Sequence, residues 1–245
     1  MDVRFTISAR GKKASEPVIP FLKTHFANIP LRQIDSLFGF VEPCTLYGGR
    51  IYEGPQLSNN DLFELSAMGI GLRLPLTNHV VTEKEYRDYS AFFEKHHREG
   101  NSAIVTNDKL AHWIRRDYPH YKLESSVIKA IDSYARIDEA MALYDTVVLP
   151  MSLNQNLEFL AGIQDKSRIT LFGNAGCALN CPSKICYGSI SIINKQVPGA
   201  QFKCSKTVKE REVLGMVDFD LMPFLDLGFR RFKMLRAMPQ GITGY

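Results

Sequence analysis

Eight short β-rich runs, separated by segments of helical character, constrain this chain more than anything else in its sequence. The runs occupy residues 3–9, 34–40, 70–75, 102–106, 122–125, 146–149, 169–172 and 229–235. Helix signals stand between them. Asn59 or Asn60 reads as an N-cap and Gly69 as the glycine past a helix end, and Thr82 with Glu85 reads as a capping box. Residues 108–117 carry Leu110, Trp113 and Ile114 at helical spacing. Strands that alternate with helices pair in parallel, and eight such units close naturally into a barrel. The expected fold is α/β, a TIM-like (β/α)8 barrel built as a single domain over residues 1–245. No internal repeat, low-complexity tract or linker divides it.

Two irregularities qualify that ideal. Only about ten residues follow the last run, so the final helix is expected to be missing or to come from a companion chain. Between the seventh and eighth runs lies a long irregular stretch, 186–213, in which 189–194 look strand-like. Loops of this length commonly serve function. With 45% hydrophobic residues the chain can bury a large core. No window approaches the roughly 20 apolar residues that span a bilayer, and the first residues lack a signal peptide's apolar stretch. Neither membrane insertion nor secretion is expected, which places the protein in the cytoplasm. A net charge of +4 is too small to indicate nucleic acid. Arg115-Arg116 and Arg230-Arg231 read as solvated faces.

Active sites of such barrels lie at the C-terminal ends of the strands. Glu42 and Cys44 follow the second run, Asn78 and His79 the third, Asn107 and Asp108 the fourth, Ser125 and Ser126 the fifth. Ser152, Asn154 and Asn156 follow the sixth, Asn174 the seventh, and Arg236 and Gln240 the eighth. Cys177, Cys181, Cys186 and Cys204 all fall in or near the loop after the seventh run, so all five cysteines are expected near one mouth. A reducing compartment disfavours disulfides, and grouped thiols then read as ligands for iron–sulfur clusters or zinc. Four thiolates suffice: Cys44 comes from one strand end, and Cys177, Cys181, Cys186 and Cys204 compete for the other three positions, which leaves one spare.

The spacing C-x3-C-x4-C is neither the paired arrangement of zinc ribbons nor that of enzymes that cleave S-adenosylmethionine. The plainer alternative is that Cys181 and Cys186 are small buried hydrophobes. Glu42 reads as a general base or a partner of backbone donors. Asn78, Asn154 and Asn174 read as substrate-orienting amides or turn residues, and Arg50 and Arg236 as anion contacts or surface charges. His79 reads as a loop residue, and His96 and His97 as neighbours of a helix dipole. No hydrolase nucleophile and base are evident.

The passage Leu171-Phe172-Gly173-Asn174-Ala175-Gly176-Cys177, followed by Asn180-Cys181-Pro182, resembles the cysteine motif of the collagenase-like peptidase superfamily. That superfamily includes the UbiU/UbiV-type iron–sulfur proteins of ubiquinone biosynthesis and related tRNA-hydroxylation proteins. Val41-Glu42-Pro43-Cys44 is similar to a short Glu/Cys segment near the start of the UbiV type. Asn154-Gln155-Asn156-Leu157-Glu158 is similar to the turn and helix after their sixth strand, and Phe232-Lys233-Met234-Leu235-Arg236 to the strand before their arginine.

The resemblance implies a [4Fe-4S] cluster and a part in oxygen-independent hydroxylation or modification of a small aromatic or an RNA base. By position it implies Cys44, Cys177 and Cys204 as ligands, with Cys181 or Cys186 completing the set. Glu42, Asn174 and Arg236 are the matching candidates for catalysis. The central spacing departs from the ubiquinone proteins, and the C-terminal extension of the larger peptidase-like members is absent, which argues against proteolysis. The alternatives are an accessory protein whose thiols bind a structural zinc or cluster, and a nucleic-acid-modifying barrel. Lys184, Lys195, Lys203, Lys206 and Lys209 make the cysteine region basic enough for the latter.

Overall fold

Side chains alternate across a strand, so a closed sheet sends one set outward to its helices and the other into its lumen. The computed structural model, which describes residues 2–179, 181, 183–207, 209–211 and 215–236, shows this division throughout. Its barrel strands are β1 (Arg4–Ser8), β2 (Ile34–Phe38), β3 (Gly71–Leu76), β4 (Ser102–Val105), β5 (Lys122–Ser125), β6 (Thr146–Val148), β7 (Ile169–Phe172) and β10 (Arg231–Met234). They close in the order β1-β10-β7-β6-β5-β4-β3-β2, every pair parallel. All eight expected strands are present, and the architecture is the TIM-like α/β barrel. Arg236 is the last described residue, so Gln240 lies outside the described residues.

Around the barrel run α1 (Val18–His25), α2 (Asn59–Ala67), α3 (Glu83–Asp88), α4 (Ser90–His96), α5 (Asp108–Asp117), α6 (Tyr134–Leu143), α7 (Leu157–Gly162) and α9 (Met222–Asp226). Their inner faces meet the outward strand residues in one core that joins Phe21, Leu65, Phe93, Ile114, Ile137 and Phe224 to Ile7, Leu74, Val147 and Phe232. Each such side chain contributes about 1.5–3 kcal/mol by leaving water.

The caps differ in detail from expectation. Ser58, not Asn59 or Asn60, caps α2: its hydroxyl accepts from Asp61 N at 3.2 Å, and the Asp61 carboxylate accepts from Ser58 N at 2.8 Å. At the other end Gly69 takes φ +71°, and Gly69 N and Ile70 N close on Ser66 O and Leu65 O at 3.0 and 2.9 Å. Thr82 caps α3 from Glu85 N at 3.2 Å. The Glu85 carboxylate turns away to Lys195 and the Thr45 hydroxyl, so the reciprocal half of the expected box goes to tertiary contacts.

Residues 189–194, expected to be strand-like, belong instead to a helix, α8 (Cys186–Asn194). Tyr187, Ile190, Ser191 and Asn194 form its buried face at helical spacing, which the alternating Ser/Ile pattern disguises. The paired arginines also do more than face solvent. Arg115 binds Asp145 at 2.8 Å, Arg230 donates to Leu225 O and Phe229 O at 2.7 Å, and Arg231 reaches Asp35 at 3.4 Å.

The lumen holds a polar layer beneath an apolar one. In the polar layer Glu124 pairs with Arg73 and stands 3.6 Å from Lys233, while Thr146 and Thr170 donate to it at 3.2 Å. Burial opposes ionisation of Glu124, but Arg73, Lys233 and Arg231 outweigh it and hold its carboxyl down to about 2. Lys233 is itself pulled to about 8, because burial outweighs the help of Glu124. Above lie Phe38, Ile104, Val148 and Phe172, continued toward the cysteine loop by Met151, Ala175, Ala178 and Leu235.

Candidate metal centre

The cysteine loop leaves and rejoins the barrel at one place. After β7, the two residues β8 (Asn174–Ala175) pair antiparallel with β9 (Val217–Asp218), and Phe219 N donates to Gly173 O at 2.9 Å. Asn174 fastens this stem to the neighbouring strand: its amide donates to Leu235 O at 2.9 Å and accepts from Leu235 N at 2.8 Å. Both ends of that amide thus serve the backbone. Asn154 acts similarly, donating to Phe172 O at 2.7 Å.

Within the loop, α8 docks on the segment after β2 through two buried amides. Asn194 donates to Tyr47 O and Arg50 O at 3.0 and 2.8 Å and accepts from Tyr52 N at 2.9 Å. Asn78 donates to Thr45 O, Tyr47 O and Ser191 O at 2.9, 3.2 and 3.0 Å. His79 adds a contact of 3.0 Å from its Nδ1 to the Ser191 hydroxyl. Gly48 permits the close approach, since a Cβ there would fall 2.3 Å from Thr77 O. At the opposite end of α8, Ser189 accepts from Lys203 N at 3.1 Å and donates to Lys203 O at 3.3 Å, drawing residues 203–206 to the helix start.

This folding gathers four of the five thiols. Burial pushes Cys186 up to about 11, and the neighbouring Cys204, Cys177 and Cys181 push the same way, which places each of the three within electrostatic reach of Cys186. Cys181 accepts from Lys184 N at 3.4 Å and lies 3.4 Å from the Ser205 hydroxyl, and Cys204 accepts from Lys206 N at 3.4 Å. Burial would raise Cys181, yet the Ser205 hydroxyl, the backbone N–H groups and Lys206 bring it below the usual thiol value. Donors of this kind favour a thiolate, the form that binds metal. Among the described residues no three Cys, His, Asp or Glu side chains close around one ion position. In a four-iron cluster each thiolate binds its own iron, so its sulfurs stand wider apart than around a single ion. Four soft donors, two of them with N–H···S support, are the kind of ligand set that group takes.

Cys44 stands apart from the four. It is 5% exposed within the core between barrel and helices, burial pushes it up to about 12, and its charged neighbours are Glu85, Lys195 and Glu42. Glu42 is held by His96 at 3.0 Å and Lys95 at 3.2 Å. Burial would raise its carboxyl, but these two partners bring it below the usual range. Arg236 lies over the Phe21 ring of α1 at 5.2 Å and donates to Arg10 O at 3.3 Å. Glu42 and Arg236 are therefore each engaged by groups other than the four clustered thiols.

The strand-end roll omitted Arg10, just past β1, and Lys233, inside β10. Arg10 is drawn below its usual value, to about 10, because burial outweighs the help of Cys177 and Glu53; the pairing still marks it as a neighbour of Cys177. A sequence signal existed for Arg73, the lone charge in the otherwise apolar or small β3, whereas Glu124 and Lys233 each share a four-residue strand with a second charge, Lys122 and Arg231.

No protein-family model matches the sequence, and none of the curated proteins matches it. Among solved structures the chain is similar to the U32 peptidase Mk0906, with a TM-score of 0.63 and 13% identity over 97% of this chain and 94% of that one. The likeness is one of fold, and it is the fold that the resemblance of the cysteine motif implies.

Proposed function

We propose that Cys177, Cys181, Cys186 and Cys204 are the ligands of a [4Fe-4S] cluster at the barrel mouth, in a protein of oxygen-independent hydroxylation or related modification. The gathering of these four thiols beside the head of the lumen carries the reading. Cys44 is then the spare thiol, a packing residue. When bound, such a cluster supplies one-electron transfer. The chain's own residues shape its surroundings: Asn174 fixes the stem, Asn78 and Asn194 hold α8 in place, and the apolar lumen layer excludes water.

A small aromatic substrate suits that apolar layer better than an RNA base suits the loop's lysines, because Lys195 is already paired with Glu85. A companion chain is supported by Ile185, Ile192, Val197 and Phe202, exposed apolar residues just before, on and after α8. No helix among the described residues is long and apolar enough to cross a membrane, and all five cysteines are free, in keeping with a reducing cytoplasm.

Anaerobic purification with iron and sulfide analysis, repeated for Cys→Ala at all five positions, tests the assignment. The expected result is a brown protein that loses iron at Cys177, Cys181, Cys186 and Cys204 and keeps it in Cys44→Ala. Colourless protein with one zinc would instead establish the structural alternative. Equal iron loss in Cys44→Ala would refute the ligand set.

A further inference from the structure

Two arginines at the head of the lumen have more donors than acceptors. Arg50 is 8% exposed, and its Nη1 and Nη2 are both buried without a hydrogen-bond partner; Arg10 Nη1 is in the same condition. The Arg50 guanidinium lies over the Phe38 and Phe40 rings at 5.6 and 4.9 Å, and the Lys233 ammonium lies 4.4 Å from the Phe38 centroid. No carboxylate pairs with Arg10 or Arg50 among the described residues, and Glu53 acts on Arg10 only through space. Among the described residues the lumen cations Arg73, Arg231 and Lys233 are ion-paired only with Glu124 and Asp35. Arg10 and Arg50 at the head add two more positive charges, near which Glu53 is the one further carboxylate acting on Arg10. Buried donors without acceptors and an excess of buried positive charge are both costly unless an anion completes the set. A planar guanidinium fork matches carboxylate and phosphate oxygens.

We propose that Arg50 and Arg10 bind an oxyanion, the carboxylate or phosphate of a small ligand, at the head of the lumen beside Cys177. This deepens the functional reading by giving its substrate a negative group, with the faces of Phe38 and Phe40 bordering the site. Arg50 is the inner and more enclosed donor, and Arg10 lies between it and the cysteine loop.

The test is thermal unfolding of the anaerobically purified protein against sodium benzoate and inorganic phosphate, at constant ionic strength and with iron measured in each sample. One of the two anions is expected to raise Tm with the logarithm of its concentration above Kd, by about 5–10 °C at a hundredfold excess over Kd, and its identity separates carboxylate from phosphate. Arg50→Met, which keeps the apolar stem over both rings, is expected to fold with Tm unchanged or higher without anion, and to lose the anion response. Arg10→Gln, at a partly exposed position, is expected to weaken the response at least tenfold in Kd and provides the test if Arg50→Met does not fold. Absence of this logarithmic response to either anion, or its persistence in both variants, would overturn the proposal. So would loss of iron in Arg50→Met, which would assign the arginines to the inorganic centre. Anion binding that survives in iron-free protein would leave this inference standing and count against the cluster alone.

Discussion

Glu124 concentrates the electrostatics of the lumen in one residue. It is 1% exposed and serves Arg73, Lys233, Thr146 and Thr170 together. Its folded value, about 2, lies below the ordinary 4.5, so the stabilisation it provides is complete above pH 4.5 and is lost as pH falls toward 2. Over that interval urea unfolding should show a loss of roughly 3 kcal/mol assignable to this residue. In Glu124→Gln the protein should be weaker at neutral pH by about 3–5 kcal/mol, because Lys233 remains buried without its counter-charge and Arg73 keeps only Asp35. The variant should also show a flatter acid limb. An acid limb equal to that of the parent would mean that other carboxylates govern acid unfolding.

At the level of elements, α8 matters because it ties the cysteine loop to the segment after β2. Asn194→Ala removes three hydrogen bonds to that segment, and the expected cost is about 2–4 kcal/mol. Amide exchange should quicken in 45–52 and 186–194 while β1 to β6 keep their protection, and bound iron should be lost sooner on exposure to chelator. Uniform acceleration across the barrel would contradict that local role. The strands were legible beforehand because each is a short apolar run closed by turn residues, and α5 because its apolar residues recur at helical spacing. In α8 the Ser/Ile sequence satisfies both periods over so short a span, and only docking decides between them. The thiol group was legible as a density of cysteines. The separation of Cys44 was not, because a residue at a strand end can point either to the mouth or to the helices, and tertiary packing alone selects.

On the scale of the whole molecule, the barrel closes through β10 and β7 whatever lies between them, since β8 and β9 bring residues 175 and 217 side by side. Replacing 176–216 with a short Gly/Ser connection should therefore preserve the far-UV spectrum and a single cooperative unfolding transition, while abolishing the proposed cluster binding. A variant that fails to fold would show that the loop's contacts with the segment after β2 are needed to close the barrel. The same two-residue ribbon works as the neck of a cassette. An insert held by such a neck can be lengthened, shortened or re-equipped without renegotiating strand register, so cysteine spacing and framework are set independently.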